Sequence, residues 1–94
     1  MYDIARNKNG EKLYILVDIK TNSIKANTYV STWENVIERF NMLTEENDDS
    51  NYFAQLIHKT ISETGAEASM RCNKRGWGYD YFRYITIEPL YIND

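Results

Sequence analysis

One cysteine, one histidine, one proline and four glycines occur in the 94 residues, and each shortage removes a class of function. A lone Cys72 forms no internal disulfide, which suits a reducing cytoplasm. One cysteine and one histidine cannot close a zinc site, so no metal and no cofactor are expected. General acid–base work needs a titratable group tuned by a second, and His58 has no partner of its kind. His58 reads as a boundary histidine beside an apolar face, and Cys72 as a small packed thiol. Glu45, Glu46, Asp48 and Asp49 are too irregularly spaced for an EF-hand loop. RGWG lacks the Lys-Ser/Thr of a phosphate-binding loop. No apolar run approaches the ~20 residues of a membrane span. MYDIARNKNG has no apolar core of the signal-peptide kind, so a cytoplasmic location is expected. Nothing here predicts an enzyme.

What is present is apolar and uneven in charge. Hydrophobic residues make up 43% of the chain, which argues against intrinsic disorder and for a single domain over 1–94. The net charge of −3 divides sharply along the sequence. Residues 1–33 carry five Lys/Arg and three Asp/Glu, 34–67 carry two and eight, and 68–94 carry four and three. Acid is gathered in the middle third.

That third begins with the clearest pattern, STWENVIERFNMLTEE over 31–46. Ser31 with Glu34 reads as a capping box. Trp33, Val36, Ile37, Phe40 and Leu43 recur at the spacing of a buried helix face. Glu34, Glu38, Asn41 and Glu45 fall on an adjoining exposed stripe. Before it, Tyr2 to Ala5 reads as a short strand, RNKNG as a turn, and KLYILVDIK (12–20) as a central strand apolar on both faces. Thr21-Asn22-Ser23 turns the chain into an antiparallel partner over 24–30. After it, TEENDDSN reads as a surface connection, with Asp49 or Ser50 capping a second helix. Phe53, Leu56, Ile57, Thr60 and Ile61 would form that helix's apolar face, and Gly65 its C′ residue. Ala66 to Cys72 alternates as a strand, NKRGWG is a turn, and Tyr79 to Glu88 is a long aromatic strand ended by Pro89. The fold class predicted is therefore α+β, in the order β-β-β-α-α-β-β. It is an antiparallel sheet of about five strands with a two-helix hairpin on one face. The other face stays partly open, with Tyr14, Tyr29, Phe82 and Tyr84 as candidates to lie on it.

Two surfaces are candidates for function. The first is the acidic helical face: Glu34, Glu38, Glu45, Asp48 and Asp49. Its ordinary reading is a solvated face that keeps the chain soluble. Its functional reading is imitation of phosphates on a basic protein surface, with Trp77 as apolar anchor. The second is RCNKRGWGYDYFRY (71–84), four basic residues among five aromatics. Its ordinary reading is a hairpin with alternate aromatics in the core. Its functional reading is a nucleotide or single-stranded nucleic-acid site using Arg71, Lys74, Arg75, Trp77, Tyr79 and Arg83.

Small size, acidity, richness in Asn, Ile and Tyr and the lack of catalytic groups together resemble small phage-encoded inhibitors of host defence, the anti-CRISPR type. The resemblance involves no motif and implies no fold. It implies stoichiometric blocking of a host protein or nucleoprotein complex, in the host cytoplasm. The chain is thus expected to be a non-enzymatic protein-binding inhibitor that docks its acidic helical face on a basic partner. The alternative is the nucleic-acid module of 71–84. A third reading is a self-associating structural subunit, a homodimer through the open sheet face or the 24–30 strand.

Overall fold

The computed structural model describes residues 2–76 and 78–93. Eight strands and one helix follow in the order β1 (Tyr2–Ile4), β2 (Leu13–Lys20), β3 (Asn27–Thr32), α1 (Trp33–Leu43), β4 (Asn47–Asp48), β5 (Tyr52–Ile61), β6 (Ala66–Lys74), β7 (Tyr81–Pro89) and β8 (Tyr91–Asn93). Six strands form one antiparallel sheet in the order β3-β2-β7-β6-β5-β4, curled into a half-barrel, and β1 pairs with β8 in a separate ribbon. The protein is mostly β, with 57% of residues in strands.

The antiparallel sheet and the first helix stand as the periodicity predicts, but the two-helix hairpin does not exist. Residues 52–61 form a strand that pairs with β6 from Tyr52↔Lys74 to Ile61↔Ala66. The register shifts between Leu56 and His58, so Ile57 is an extra residue with no partner opposite. A bulge of this kind breaks the period of two. Ala54 and Leu56 face inward before it, Lys59 and Ile61 after it. The sequence spacing then imitates a helix, although Tyr52, Phe53, Ile57, Thr60 and Ile61 are all strand formers. Gly65 caps no helix; it precedes β6 where a Cβ would lie 2.8 Å from the Ile87 carbonyl oxygen. Close approach of two backbones, and no special φ, is what requires glycine there.

The capping box is also absent. Ser31 is paired with Tyr14 in the β2–β3 ladder, so its backbone is committed to the sheet. The helix starts directly from the strand at Thr32, whose side chain makes no cap, and Ser31 Oγ instead accepts from Asn35 Nδ2 at 2.8 Å. At the other end Thr44 closes α1: its N–H and its hydroxyl both donate to the Phe40 carbonyl, at 3.0 and 2.9 Å.

Val36 and Phe40 insert into the concave face of the sheet among Tyr14, Leu16, Ala68, Ile85 and Ile87. Trp33 packs edge-on against Tyr14, with ring centroids 5.1 Å apart. A second cluster of Ala54, Met70, Cys72 and Tyr81 fills the curl farther along the same face. Tyr14 and Tyr29 therefore belong to the core layer, while Phe82 and Tyr84 lie on the open face as expected. Phe40→Ala is expected to cost about 3–5 kcal/mol, measured by urea unfolding. Gly65→Ala is expected to cost about 1–3 kcal/mol by forcing β6 from β7. Alanine at Gly10, where a Cβ meets nothing within 4 Å, tests φ strain alone.

Candidate functional site

Alternation sends Ile15, Val17 and Ile19 of β2 to the convex side of the sheet, beside Val30 of β3 and Phe82, Tyr84 and Thr86 of β7. Ile15, Val17 and Thr86 there are half-buried and the others exposed. Ile19 and Tyr84, opposite one another, are each 46% exposed, and Val30 and Phe82 are exposed beside them. The outcome is a continuous apolar face across three strands. Toward β6 and β5 it becomes polar, with Glu67, Ser69, Arg71 and Asn73, and His58 shares a contact of 3.3 Å with Glu67. His58 is thus an exposed strand residue, turned outward by the bulge.

The five acidic residues of the predicted helical face do not share a face. Glu34 and Glu38 lie on the exposed side of α1 and Glu45 just past its end, with no ion pair among the described residues. Asp48 and Asp49 lie on the β4–β5 hairpin, because the chain turns there instead of entering a helix. Asp49 Oδ1 accepts from the N–H groups of Asn51 and Tyr52, both at 2.8 Å. Asp48 is ion-paired with Arg75, whose Nε also donates to the Asp49 carbonyl at 3.1 Å. The Asn51 N–H first, then Tyr52's, then the Asn47 amide hold the Asp49 carboxyl below the usual carboxylate range.

The basic and aromatic set of 71–84 is divided as well. Trp77 lies outside the described residues. Arg71 and Arg75 stand on either side of Phe53, with their guanidinium carbons 5.4 and 5.2 Å from its centroid. Arg71 is also 3.7 Å from Asp80. Lys74 and Tyr79 are exposed near the same hairpin. Arg83 faces the other way, into the concave side, because it is an even number of residues from Tyr81 and Ile85. These residues therefore form no single stripe.

Arg83 instead donates to Asp18 in a two-pronged ion pair, Nε to Oδ1 at 2.8 Å and Nη2 to Oδ2 at 2.6 Å. Both side chains are largely buried, at 13% and 5% exposure. The hydrogen bonds to Asp18 hold the Arg83 guanidinium charged even more firmly than usual, against the opposing effect of burial. Deeper along the face, burial pushes the Tyr52 phenol up, and the neighbouring Cys72 and Tyr81 add to it. No buried side-chain nitrogen or oxygen among the described residues lacks a partner.

No family model, no curated protein and no solved structure matches the chain.

Among the described residues, no group of three His, Cys, Asp or Glu is placed to hold a metal ion, and no helix is long and apolar enough to cross a membrane. The residues that sequence reasoning passed over are Ile15, Val17, Ile19 and Val30 outside, and Asp18, Lys20 and Arg39 inside. The signal for Asp18 was its place in an otherwise apolar run, where a buried carboxylate requires a cation.

Two outcomes follow. Arg83→Met leaves Asp18 buried without its cation and is expected to cost about 3–5 kcal/mol, whereas Asp18→Leu with Arg83→Met recovers most of the loss in the same urea assay. For Asp49, a carboxyl lowered in the folded state stabilises fully above its unfolded value of 3.8, and that contribution is lost as pH falls through the lower folded value. The Asn51 and Tyr52 amide signals are expected to titrate with a midpoint below 3.8 in NMR, and to lose that step in Asp49→Asn.

Proposed function

We propose that this chain is a non-enzymatic protein-binding inhibitor whose contact surface is the uncovered convex face of β2, β3 and β7. The observation that carries the reading is surface area. The chain exposes 6458 Å², while a compact monomer of its 11.1 kDa is expected to expose about 5,650 Å². The difference is roughly what one partner buries in a standard protein interface, ~800 Å². The radius of gyration agrees, at 15.2 Å against about 12 Å for a compact domain of this length. Ile19, Phe82 and Tyr84 supply the aromatic and branched anchors that dominate binding energy at such surfaces. The resemblance to phage-encoded inhibitors supports a host protein or nucleoprotein complex as the partner.

Glu34, Glu38 and Glu45 support a second reading. They remain uncompensated, Glu34 and Glu38 on the solvent side of α1 and Glu45 just past its end, so a basic partner could dock there, on the layer opposite the apolar face. The two readings separate by mutation. A host protein retained by the immobilised wild-type chain is expected to bind Ile19→Asp with Tyr84→Asp about thirtyfold more weakly, or worse. Glu34→Gln with Glu38→Gln and Glu45→Gln is expected to slow association a few-fold and to flatten its salt dependence. Full binding by the outer-face variant together with loss in the charge variant would transfer the contact to α1. Full binding by both would overturn both.

A further inference from the structure

The concave side has an opening that the proposed contact face does not use. It is a cleft of about 350 Å³ between the second half of α1 and the adjoining ends of β2, β3 and β7, lined among others by Asp18, Lys20, Asn27, Tyr29, Arg39 and Arg83. Three cations meet there against one carboxylate. Lys20 and Arg83 are direct cross-strand neighbours, a like-charged pair that is unfavourable on its own. Asp18 offsets one of the two charges and fixes the plane of the Arg83 guanidinium through Nε and Nη2. Lys20 makes no ion pair or side-chain hydrogen bond among the described residues. Arg39 reaches across from α1 and lies over the Tyr29 ring, 4.4 Å from its centroid, which positions the guanidinium without neutralising it.

We propose that this cleft binds a small phosphorylated compound by its phosphoryl group. The net charge of the lining is about +2, which matches a phosphoryl dianion better than a single carboxylate. The donors are of the right kind: an ammonium from Lys20, guanidinium N–H groups from Arg39 and Arg83, and the Asn27 amide. They come from one helix and three strands, so they surround a compact group instead of tracking an extended chain. Arg39 covers the Tyr29 ring, so that ring is not a stacking platform for a nucleic-acid base. Phosphoryl binding would also remove the repulsion between Lys20 and Arg83, so it is expected to stabilise the fold.

Pyrophosphate is the probe. Titration calorimetry and thermal melts on the full chain, at constant ionic strength set with sodium chloride, are expected to show saturable one-to-one binding and a rise in Tm. Lys20→Gln with Arg39→Gln is expected to weaken binding at least tenfold while leaving the ligand-free melt near wild type, since neither side chain is in the core. Arg83 is left intact because its removal strands Asp18. No stabilisation beyond that of chloride would overturn the proposal. So would binding of equal strength in the double variant, which would place the anion elsewhere, as at Arg71, Lys74 and Arg75. Neither result bears on the convex face, whose variants leave the cleft unchanged.

Discussion

Phe40 and Val36, neither with any exposed surface, fasten the one helix to the one large sheet, and the proportions of those two layers shape the rest. A helix of 11 residues is ~16 Å long, while six strands span ~24 Å across. The helix contacts β2, β3 and β7 most, and Phe40 extends as far as Ala68 of β6 and Lys59 of β5. The 52–56 end of β5, with the part of β6 and β7 beside it, must then be buried some other way. The sheet curls until Ala54, Met70, Cys72 and Tyr81 cover one another. Among the described residues the one helix is spent on the concave side, and Ile19, Val30, Phe82 and Tyr84 on the convex side stay exposed. The curl and the open face have one cause.

The buried ion pair acts on the same arrangement from within. Asp18 sits in an otherwise apolar strand, and Arg83 reaches it diagonally from the neighbouring one. A slip of β2 against β7 by one residue would turn one charge outward and leave the other alone in the core. Replacing the pair with apolar groups would fill the space without that penalty for misalignment. The pair thus specifies register more than it adds stability, and Lys20 and Arg39 line the cleft that opens over it.

How much could be read from the sequence depended on whether periodicity was interrupted. Trp33, Val36, Ile37, Phe40 and Leu43 follow one period and mark α1 correctly. Tyr52 to Ile61 changes face at Ile57, and one extra residue in a strand gives the same spacing as a helix turn. The strand-forming composition of this segment argues for β, against its spacing. Lys12 to Lys20 reads as a central strand apolar on both faces, under a sheet with one face partly open, but alternation does not say which face that is. Tyr14 is expected on the open face, yet α1 docks against it and Leu16, so Ile15, Val17 and Ile19 are the residues left outside.

The acidic middle of the chain shows the same limit for charge. Residues 34–67 hold eight carboxylates in sequence, yet the fold gives them separate tasks. Glu46 accepts the Leu56 N–H at 3.1 Å, Asp49 closes a hairpin, Asp48 pairs with Arg75 and Glu67 meets His58. Glu34, Glu38 and Glu45 are left in solvent. Arg39, next to Glu38 in sequence, is turned about 100° around the helix and leans over Tyr29 instead. One short helix thereby shows acid outward and a cation toward the cleft. Charge density along a chain predicts a surface only where neighbouring carboxylates share a face, and strands and turns distribute them. A helix keeps them together only every third or fourth residue, which is why Glu34 and Glu38 share the exposed side of α1 while Glu45, Asp48 and Asp49 lie past its end.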